Sequence, residues 1–480
     1  MKQKILYYLV FIGLLLGVFS LQMLDLKQHK ERFYHHKVSI SAQPVSPVEH
    51  LASHLPIIEI DTLDGKVIPL ERGENEGGTR QQSVRGIVRL YDRLDEVNRV
   101  GDGARVETLA EIAYRGNSSR HFDKKSIKLR FVDKKGEDVE HTVAGMPKES
   151  EWVLHGPFLD RSLLRNYISY NLAGELMEYA PNVRYSEVMI NGEYQGLYLI
   201  VESIEQGVHR IPIEKSDKRS LKTSYIAVWD RPHKAKNPVD NYVGYTYQAD
   251  QSSLDIRYPN VRKITEAQKD FIQQDISKIE RILYSYDLKQ YGHYVDKNAF
   301  ATYFVINEFF RNTDAGIFST YLYKDLRDKM KIAVWDFNNA FDNHSDVEYD
   351  RAGFSMLEVP WFSMMIKDKE FIDLVVHKYH QLRKNLLSTK RLHDHIDKTV
   401  QFLGPAIQRN NDKWGYVFQL QKMDEHNYLQ PYERNQASYE EAVHVVKSFI
   451  EDRGKWLDEH IETLYQYCAP SKNTNTLVDY

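Results

Sequence analysis

Residues 312–341, NTDAGIFSTYLYKDLRDKMKIAVWDFNNAF, decide the fold class, because two short β-prone runs stand here within an otherwise helical half of the chain. The runs cover 318–323 and 331–335, and their pattern predicts two strands joined as a hairpin. Asp314 comes just before the first run and Asp336 directly after the second. A hairpin of this length would bring both carboxylates to one end of a cleft.

The chain before this hairpin is rich in strand patterns from about residue 57 to residue 258. Short β-prone runs separated by turn residues predict strands, for example at 57–60, 126–131 and 198–201. Asn191-Gly192 lies between two such runs and predicts a tight hairpin turn. One helix is predicted among the strands at 162–178, where apolar residues recur on one face.

From residue 265 onward the pattern is helical. Thr265 and Gln268 predict a capping box at the start of a helix. Further helices are predicted at 297–312, 366–388, 390–410 and 437–466. The expected organisation is α+β, with a strand-rich N-lobe at 55–262, a helical C-lobe at 263–468 that contains the hairpin, and a polar tail at 469–480.

The N-terminal segment 5–24 carries no charge and is long enough to cross a bilayer as a helix. We predict an uncleaved transmembrane anchor in residues 1–27 and a polar stalk at 28–54; the alternative is a cleaved signal peptide. Lysines lie on both sides of the segment, so the positive-inside rule does not decide the orientation. A short N-terminal tail usually stays inside, which predicts a body outside the cytoplasm, in the periplasm or on the cell surface.

Composition limits the classes of function. A chain of 480 residues with 42% hydrophobic content can bury a large core, and its formal charge of −4 argues against nucleic acid as a partner. Cys468 is the only cysteine, so no intramolecular disulfide can form. The sequence contains neither a GxGxxG nor a GxxxxGK motif, which argues against Rossmann and Walker nucleotide sites.

Five groups of residues occur in an order that points to one family. They are 115–119 with 124–129, 152–154 with 160–166, 191–198 with Glu202, 254–259, and 312–314 with 321–323 and 335–341. Together they span about residues 110–345 and resemble the pattern of the CotH (spore coat protein H) family. The resemblance implies a bacterial, two-lobed, atypical protein-kinase-like fold and phosphoryl transfer that uses ATP and Mg²⁺.

The resemblance also implies roles for the acidic end of the hairpin. Asp336 is the expected metal ligand, and Asp314 the expected base or hydroxyl-orienting carboxylate, with a metal contact as a second role. Asn338 stands where a third carboxylate is common in the family, and its amide oxygen is a weaker metal ligand. The structural alternative is that Asp314 is a turn residue and Asp336 an Asx-type cap.

Basic residues are expected to face the nucleotide phosphates. Lys125 is the first candidate and Lys128 the second, and a solvated strand face is the alternative for both. Arg257 stands before Tyr-Pro, where the family pattern carries a lysine. The charge is kept, but a planar guanidinium replaces a point charge.

Three other residues of the family pattern have open roles. Glu202 ends an apolar strand, where it would either pair with one of the two lysines or lie exposed at the strand end. Arg165 and Asn166 lie on the predicted helix 162–178. They would either face the cleft beside the nucleotide or tie the two lobes together.

Two functions therefore compete, and a third, weaker alternative is an enzyme that uses a phosphate donor other than ATP. The first is an anchored kinase that phosphorylates Ser or Thr of an envelope or surface protein, or a glycan. The second is a catalytically inactive pseudokinase that serves as an envelope binding or assembly protein. Ser319, where the family often has asparagine, and Asn338 favour the second.

Overall fold

The computed structural model describes residues 43–70, 72–75, 78–116, 118–245, 252–285, 288–422 and 428–469. The predicted anchor at 1–27 and nearly all of the predicted polar tail lie outside these residues. Within the described ranges, no helix combines the length and the apolar character that a bilayer crossing requires. The fold is mixed α+β, with a strand-rich N-terminal barrel region and a helical C-terminal part.

The strands lie mainly in the first half of the chain. They are β1 (Ala52–Ser53), β2 (Ile57–Thr62), β3 (Arg72–Asn75), β4 (Gly78–Gln81), β5 (Val84–Tyr91), β6 (Asn98–Arg99), β7 (Val106–Arg115), β8 (Ser126–Phe131), β9 (His141–Val143), β10 (Met146–Glu149), β11 (Glu151–His155), β12 (Val183–Ile190), β13 (Glu193–Glu202), β14 (Tyr225–Asp230), β15 (Ser253–Tyr258), β16 (Thr320–Lys324) and β17 (Lys331–Ala333).

Seven of the described strands close a barrel in the order β11-β13-β12-β2-β5-β7-β8. Neighbouring strands are antiparallel except β12 and β2, which are parallel. Side chains alternate across each strand, so Ile127 and Leu129 enter the barrel core while Ser126 and Lys128 lie on its outer face. On neighbouring β11, Val153 packs outward into the core of the C-terminal part. That outer face is therefore the one that meets the helices.

A second sheet has the order β15-β14-β16-β17, with all neighbours antiparallel. Its first two strands come from residues 225–258 and its last two from 320–333. The sheet therefore joins chain segments from both sides of the boundary that the sequence predicted between 262 and 263. The predicted hairpin is present, with strands at 320–324 and 331–333.

The described helices follow mainly after residue 265. They are α1 (Arg165–Leu176), α2 (Glu266–Tyr284), α3 (Lys297–Phe310), α4 (Phe362–Met365), α5 (Lys369–Arg383), α6 (Thr389–Leu403), α7 (Pro405–Trp414), α8 (Tyr439–His460) and α9 (Tyr465–Cys468). Short 3-10 helices connect some of these elements, among them Ser118–Arg120 and Gly415–Phe418.

The capping box predicted for α2 is confirmed. Thr265 Oγ1 accepts a hydrogen bond from the Gln268 backbone N–H at 3.3 Å, and Gln268 Oε1 accepts one from the Thr265 N–H at 3.2 Å. The single helix predicted at 390–410 was wrong, because α6 ends at Leu403, Gly404 follows it, and α7 begins at Pro405. Gly404 has φ +47°, and proline lacks the N–H that would continue the helix.

Helix α3 forms the centre of the C-terminal core. It is buried from Phe300 to Phe310 and contacts α1, α5, α8 and β17. The helix ends at Arg311, which adopts a left-handed conformation with φ +48°. The chain then passes directly into the segment that carries Asp314, so a rigid helix positions this part of the candidate site.

The end of the predicted stalk belongs to the folded body instead. Residues 51–54 are buried, and β1 pairs with β6. Gln43 Nε2 also donates to the backbone carbonyl of Gln401 at 3.1 Å. The polar composition before residue 51 suggested a linker, but the described part of it packs against the C-terminal helices.

Candidate functional site

The second sheet brings the ends of three strands to one edge. Trp229 on β14 pairs with Thr320 on β16, and Tyr321 pairs with Ala333 on β17. Because these neighbours are antiparallel, the end of β14, the start of β16 and the end of β17 lie side by side. Asp230 ends β14, Asp314 precedes β16, and Asp336 follows β17. The chain thus brings these carboxylates to the same edge.

Asp336 is held by its backbone in an unusual conformation. Its φ of +59° lies in the left-handed region, which aspartate tolerates better than most residues. Its N–H donates to Tyr170 Oη at 2.9 Å, and its carbonyl accepts from Asn312 Nδ2 at 3.2 Å. Burial raises the pKa of the Asp336 carboxyl, against the opposing effects of the Asn338 N–H and of Arg115. The surroundings therefore fix the direction of this side chain and disfavour its charge.

Asp314 lies near Asp336, and burial also affects its carboxyl group. Its Oδ2 accepts a hydrogen bond from Asn339 Nδ2 at 2.9 Å. Burial, reinforced by the negative charge of Asp336, raises the pKa of Asp314 to about 6. In the described part of the chain neither carboxylate forms an ion pair. Asp336 thus lies close enough to raise the pKa of Asp314, and the charges of Arg231 and Lys234 only partly oppose this rise.

Asp230 is a third carboxylate at this edge, and sequence reasoning missed it. Its Oδ1 accepts from Lys234 Nζ at 3.2 Å, and Arg231 lies 3.9 Å away. Its negative charge contributes to raising the pKa of both Asp314 and Asp336. The sequence could have indicated Asp230, because it follows the run 225–229 just as Asp336 follows the run 331–335.

Arg115 supplies positive charge from the barrel. It is the last residue of β7, and its guanidinium carbon lies 5.3 Å from the ring centroid of Trp335. Its charge favours the ionised form of Asp336. The sequence placed Arg115 in the family pattern without assigning it a role, and the structure places it at the carboxylates.

The two predicted lysines differ in their contacts. Lys128, on the outer face of β8, pairs with Glu151 of β11, whose carboxylate also hydrogen-bonds to Glu205. Burial and the neighbouring Glu151 charge raise the pKa of Glu205 well above its usual range. Lys125 Nζ instead donates to the backbone carbonyl of Phe122 at 2.9 Å. A lysine–glutamate pair is thus present on the outer barrel face, and it contains Lys128.

Glu202 is not the glutamate of that pair, so both alternatives expected for it were wrong. Its carboxylate is fully buried and accepts from the Asn182 backbone N–H at 2.8 Å and from Asn182 Nδ2 at 2.9 Å. Arg210 lies 3.8 Å away and supplies the counter-charge. The register of β13 turns Glu202 toward these partners and away from the lysines.

Arg165 ties elements of the two parts together. Its side chain is 2% exposed, and its Nη1 donates to Asp160 Oδ1 at 2.6 Å. Its Nε donates to the backbone carbonyl of Ala340 at 3.2 Å, in the loop after Asp336. Of the two roles left open by the sequence, the observed contacts match the structural tie.

Asn166 makes a similar connection. Its Oδ1 accepts from the Phe337 N–H at 3.0 Å, and its Nδ2 donates to Asn338 Oδ1 at 2.8 Å. Nδ2 also lies 3.2 Å from His155 Nε2 on β11. The Asn338 oxygen predicted to bind metal therefore already accepts one hydrogen bond, and its role as a ligand stays a prediction.

Arg257 lies on β15 of the same sheet. Its Nε is 3.4 Å from Asp255 Oδ2, and its side chain is 32% exposed. Its positive charge acts on Tyr321, whose ring centroid lies 6.1 Å from that of Trp335. Arg257 is therefore near the aromatic floor of the site, and its contact with a nucleotide stays a prediction.

Among the described residues, no group of three or more His, Cys, Asp or Glu side chains is arranged so that it could hold a metal ion. Arg115 of the barrel nevertheless lies over the ring of Trp335, the residue before Asp336, so one basic side chain of the barrel is placed beside the acidic sheet edge. Carboxylates on one side and cations on the other suit a ligand that carries both a metal ion and phosphates.

Comparisons with known proteins agree with the resemblance noted in the sequence. Residues 112–457 match the family model described as CotH kinase protein. The chain is also 24% identical over 366 residues to inner spore coat protein H of Bacillus subtilis (strain 168), an alignment covering 74% of this chain and 88% of that protein. The matched range contains Arg115, Lys128 and the three carboxylates of the sheet edge.

Proposed function

The chain belongs to the CotH kinase family, and from this premise we propose that it transfers a phosphoryl group from ATP, with Mg²⁺, to a hydroxyl acceptor. The acceptor class we propose is Ser or Thr of an envelope or surface protein, or a glycan. ATP use is implied by the family itself. The proposed overall arrangement is kinase-like, with the barrel region and the helical part as two lobes around the nucleotide.

One observation carries the proposal: Asp314 and Asp336 lie at the same end of the sheet with raised pKa values, and neither forms an ion pair in the described ranges. Two like charges in a buried space are costly unless a cation joins them. Magnesium commonly takes one or two protein carboxylates and completes its shell with phosphate oxygens and water. The donor set at the sheet edge therefore fits this ion.

The residues of the site would have three roles: metal binding, proton acceptance and phosphate binding. Asp336 would hold Mg²⁺, with Asp314 and Asn338 as further ligands, and the ion would neutralise charge on the phosphates. Asp314, with a pKa of about 6, suits a group that accepts a hydrogen bond from the acceptor hydroxyl and takes its proton. Arg115 and Lys128 would bind the phosphates from the barrel side.

The decisive experiment measures binding and transfer with the purified full chain. Saturating Mg-ATP is expected to raise the melting temperature, since a ligand at 100 times its Kd stabilises by about 2.7 kcal/mol. Asp336→Asn should abolish this shift and slow phosphoryl transfer by roughly 10²-fold or more. Asparagine is chosen because it tolerates the left-handed backbone at φ +59°.

Asp102→Asn is the matched control, because Asp102 is exposed in a turn and its loss removes the same charge. This variant should bind Mg-ATP and transfer phosphate like the unchanged chain. Equal loss in both variants would mean that net charge, not the site, is responsible. Full activity of Asp336→Asn would refute the proposed role of this carboxylate.

The second candidate function, an inactive pseudokinase that binds or assembles envelope components, is favoured by one contact. Asn338 replaces a carboxylate common in the family, and its oxygen is already bonded to Asn166. Under this alternative the full chain would show no Mg-ATP shift, or would bind nucleotide without transferring phosphate to any Ser, Thr or glycan acceptor.

We also propose that residues 1–27 anchor the protein in a bacterial membrane with the body outside the cytoplasm. The uncharged run at 5–24 supports this placement. Reporter fusions at the C-terminus test it: an extracytoplasmic body predicts an active alkaline phosphatase fusion and a dark green-fluorescent-protein fusion. The reverse pattern would place the body in the cytoplasm.

A further inference from the structure

His155 lies where the barrel meets helix α1. It is the last residue of β11 and is partly buried. Its Nε2 lies 3.2 Å from Asn166 Nδ2, and its Nδ1 lies 3.3 Å from Ser126 Oγ. Asn166 in turn contacts the loop after β17 that carries Asp336 and Asn338. The proposed function gives His155 no role, although a single side chain separates it from a proposed metal ligand.

The side-chain amide of Asn166 has one consistent orientation. Its Oδ1 accepts a hydrogen bond from the Phe337 backbone N–H at 3.0 Å, and a backbone N–H can only donate. The Nδ2 group therefore faces the two remaining partners, Asn338 Oδ1 at 2.8 Å and His155 Nε2. An amide NH₂ group carries two N–H bonds, which matches two acceptors.

This orientation determines where His155 carries its proton. Because Asn166 Nδ2 only donates, His155 Nε2 must accept, and the proton of the neutral ring is then on Nδ1. From there it points to Ser126 Oγ, which also accepts from the Gly156 N–H at 3.1 Å. Burial, with the positive charge of Arg115, lowers the pKa of His155 to about 4. The ring is therefore neutral at neutral pH and free to accept.

The same contacts determine which atom Asn338 presents. Since Asn166 Nδ2 donates to it, the atom that faces Asn166 is the carbonyl oxygen and not the NH₂ group. An amide oxygen has two lone pairs, so it can accept this hydrogen bond and still contact a cation. The Asn338 N–H also donates to Asp336 Oδ1 at 3.3 Å, which places the two proposed ligands next to each other.

We propose that His155 is a positioning residue: as a neutral imidazole with its proton on Nδ1, it holds the Asn166 amide so that Asn338 presents its oxygen to the divalent ion. This inference rests on the proposed function, which supplies the ion. His155 acts through Asn166 and is assigned no contact with the reactants. Groups that orient metal ligands typically change metal affinity by roughly 10–100-fold.

The first test observes the proton directly and does not require a bound ligand. The full chain is labelled with ¹⁵N-histidine, and long-range ¹H–¹⁵N spectra are recorded at pH 7. The chain has 19 histidines, and the signal that disappears in His155→Gln belongs to His155. We expect a protonated Nδ1 and an unprotonated Nε2. A proton on Nε2, or on both nitrogens, would overturn the proposal.

The second test measures the Mg²⁺ concentration that gives half of the maximal rise in melting temperature at saturating ATP. His155→Leu removes the acceptor and should raise this concentration roughly tenfold. His155→Gln should recover most of the loss, because its side-chain oxygen can accept from Asn166. His293→Leu is the matched control, since His293 is exposed, and it should change nothing. A purely structural role for His155 would lower the melting temperature without ligand and leave the Mg²⁺ dependence unchanged.

A double variant tests whether His155 acts through Asn338. Asn338→Ala alone should raise the required Mg²⁺ concentration, and adding His155→Leu should raise it little further, because both changes affect the same ligand. Fully multiplicative effects would mean that His155 acts by another route and would contradict the proposal. If His155→Leu does not fold, the spectrum of the unchanged chain still decides.

Failure of this inference can be told from failure of the proposed function. If the unchanged chain shows an Mg-ATP shift but His155→Leu has an unchanged Mg²⁺ dependence, His155 has no positioning role and the kinase proposal stands. If the unchanged chain shows no Mg²⁺-dependent shift, the proposed function fails and the ligand role of Asn338 fails with it. The spectrum then still shows whether His155 fixes the Asn166 amide.

Discussion

At the scale of single residues, Asp314 makes the carboxylate site sensitive to pH. Its pKa is raised to about 6 by burial and by Asp336, whereas an unfolded aspartate titrates near 3.9. At a pH between these two pKa values, the Asp314 carboxyl is protonated in the folded chain and ionised in the unfolded chain. The contribution of Asp314 to stability therefore falls as pH rises from about 4 to about 6, and the cost is complete above that range.

The prediction is that Asp314→Asn stabilises the protein above pH 6. The gain should be roughly 1–3 kcal/mol at pH 8 and should fall toward zero near pH 3, because the wild-type carboxyl is then mostly neutral in both states. Urea unfolding at the two pH values measures it. Asp102→Asn, an exposed site, should show little change at either pH. A destabilised Asp314→Asn at pH 8 would contradict the raised pKa.

The sequence predicted which residues belong to the site where a motif identified them, but it did not predict which residues they contact. Asp314 and Asp336 were found from their places beside two β-prone runs. The partner of Glu202 depended on the register of β13 against β11 and on the distant Asn182, neither of which is encoded near residue 202. Lys124 and Lys125 are neighbours in the sequence, and only the packing of Asn410 distinguishes the buried one.

At the scale of elements, the Asn191-Gly192 turn shows how local sequence fixes a hairpin. Both residues have positive φ, +50° and +79°, as the predicted tight turn between β12 and β13 requires. Asn191 Oδ1 also accepts from the Thr62 N–H at 2.8 Å and so connects the turn to β2. This hairpin was predictable because its determinants are adjacent in the chain.

Gly192→Ala is predicted to destabilise the protein by about 1 kcal/mol, since the left-handed backbone conformation is strained for alanine and freely accessible to glycine. A Cβ at Gly192 would meet no atom within 4 Å, so the cost is conformational and not steric. Chemical denaturation measures it. Gly103→Ala is the control, because Gly103 is equally open but lacks a positive φ, and it should be nearly neutral. Equal effects at both positions would argue against the turn conformation as the cause.

At the scale of the whole molecule, contacts between the two parts were the least predictable feature. Strand composition indicated a boundary near residue 262, yet β14 pairs with β16 across this boundary. The first residues of these two strands, Tyr225 and Thr320, are 95 residues apart in the chain. Helix α7 likewise packs on β13 of the barrel. Such pairings depend on the long-range fold, so periodicity reveals the elements and not their neighbours.

The Glu187–Arg409 pair is predicted to hold α7 against the barrel. Glu187 is fully buried on β12, and its oxygens lie 2.8 Å and 2.6 Å from Nε and Nη2 of Arg409. Arg409→Met would leave a buried carboxylate whose remaining side-chain partner is Tyr194 Oη at 2.7 Å. The expected cost is about 3–5 kcal/mol, and the double variant Arg409→Met with Glu187→Met should recover most of it.

Urea unfolding followed by tryptophan fluorescence and by far-ultraviolet circular dichroism measures this cost. Arg391→Met is the matched control: Arg391 lies 3.3 Å from Glu175 and also joins two elements, but its side chain is 50% exposed, so its loss should cost less than about 1 kcal/mol. If Arg409→Met costs no more than this control, the buried pair does not hold α7. If it costs more and the two probes separate, the pair also couples unfolding of the barrel to that of the helices, because breaking it allows one part to unfold before the other.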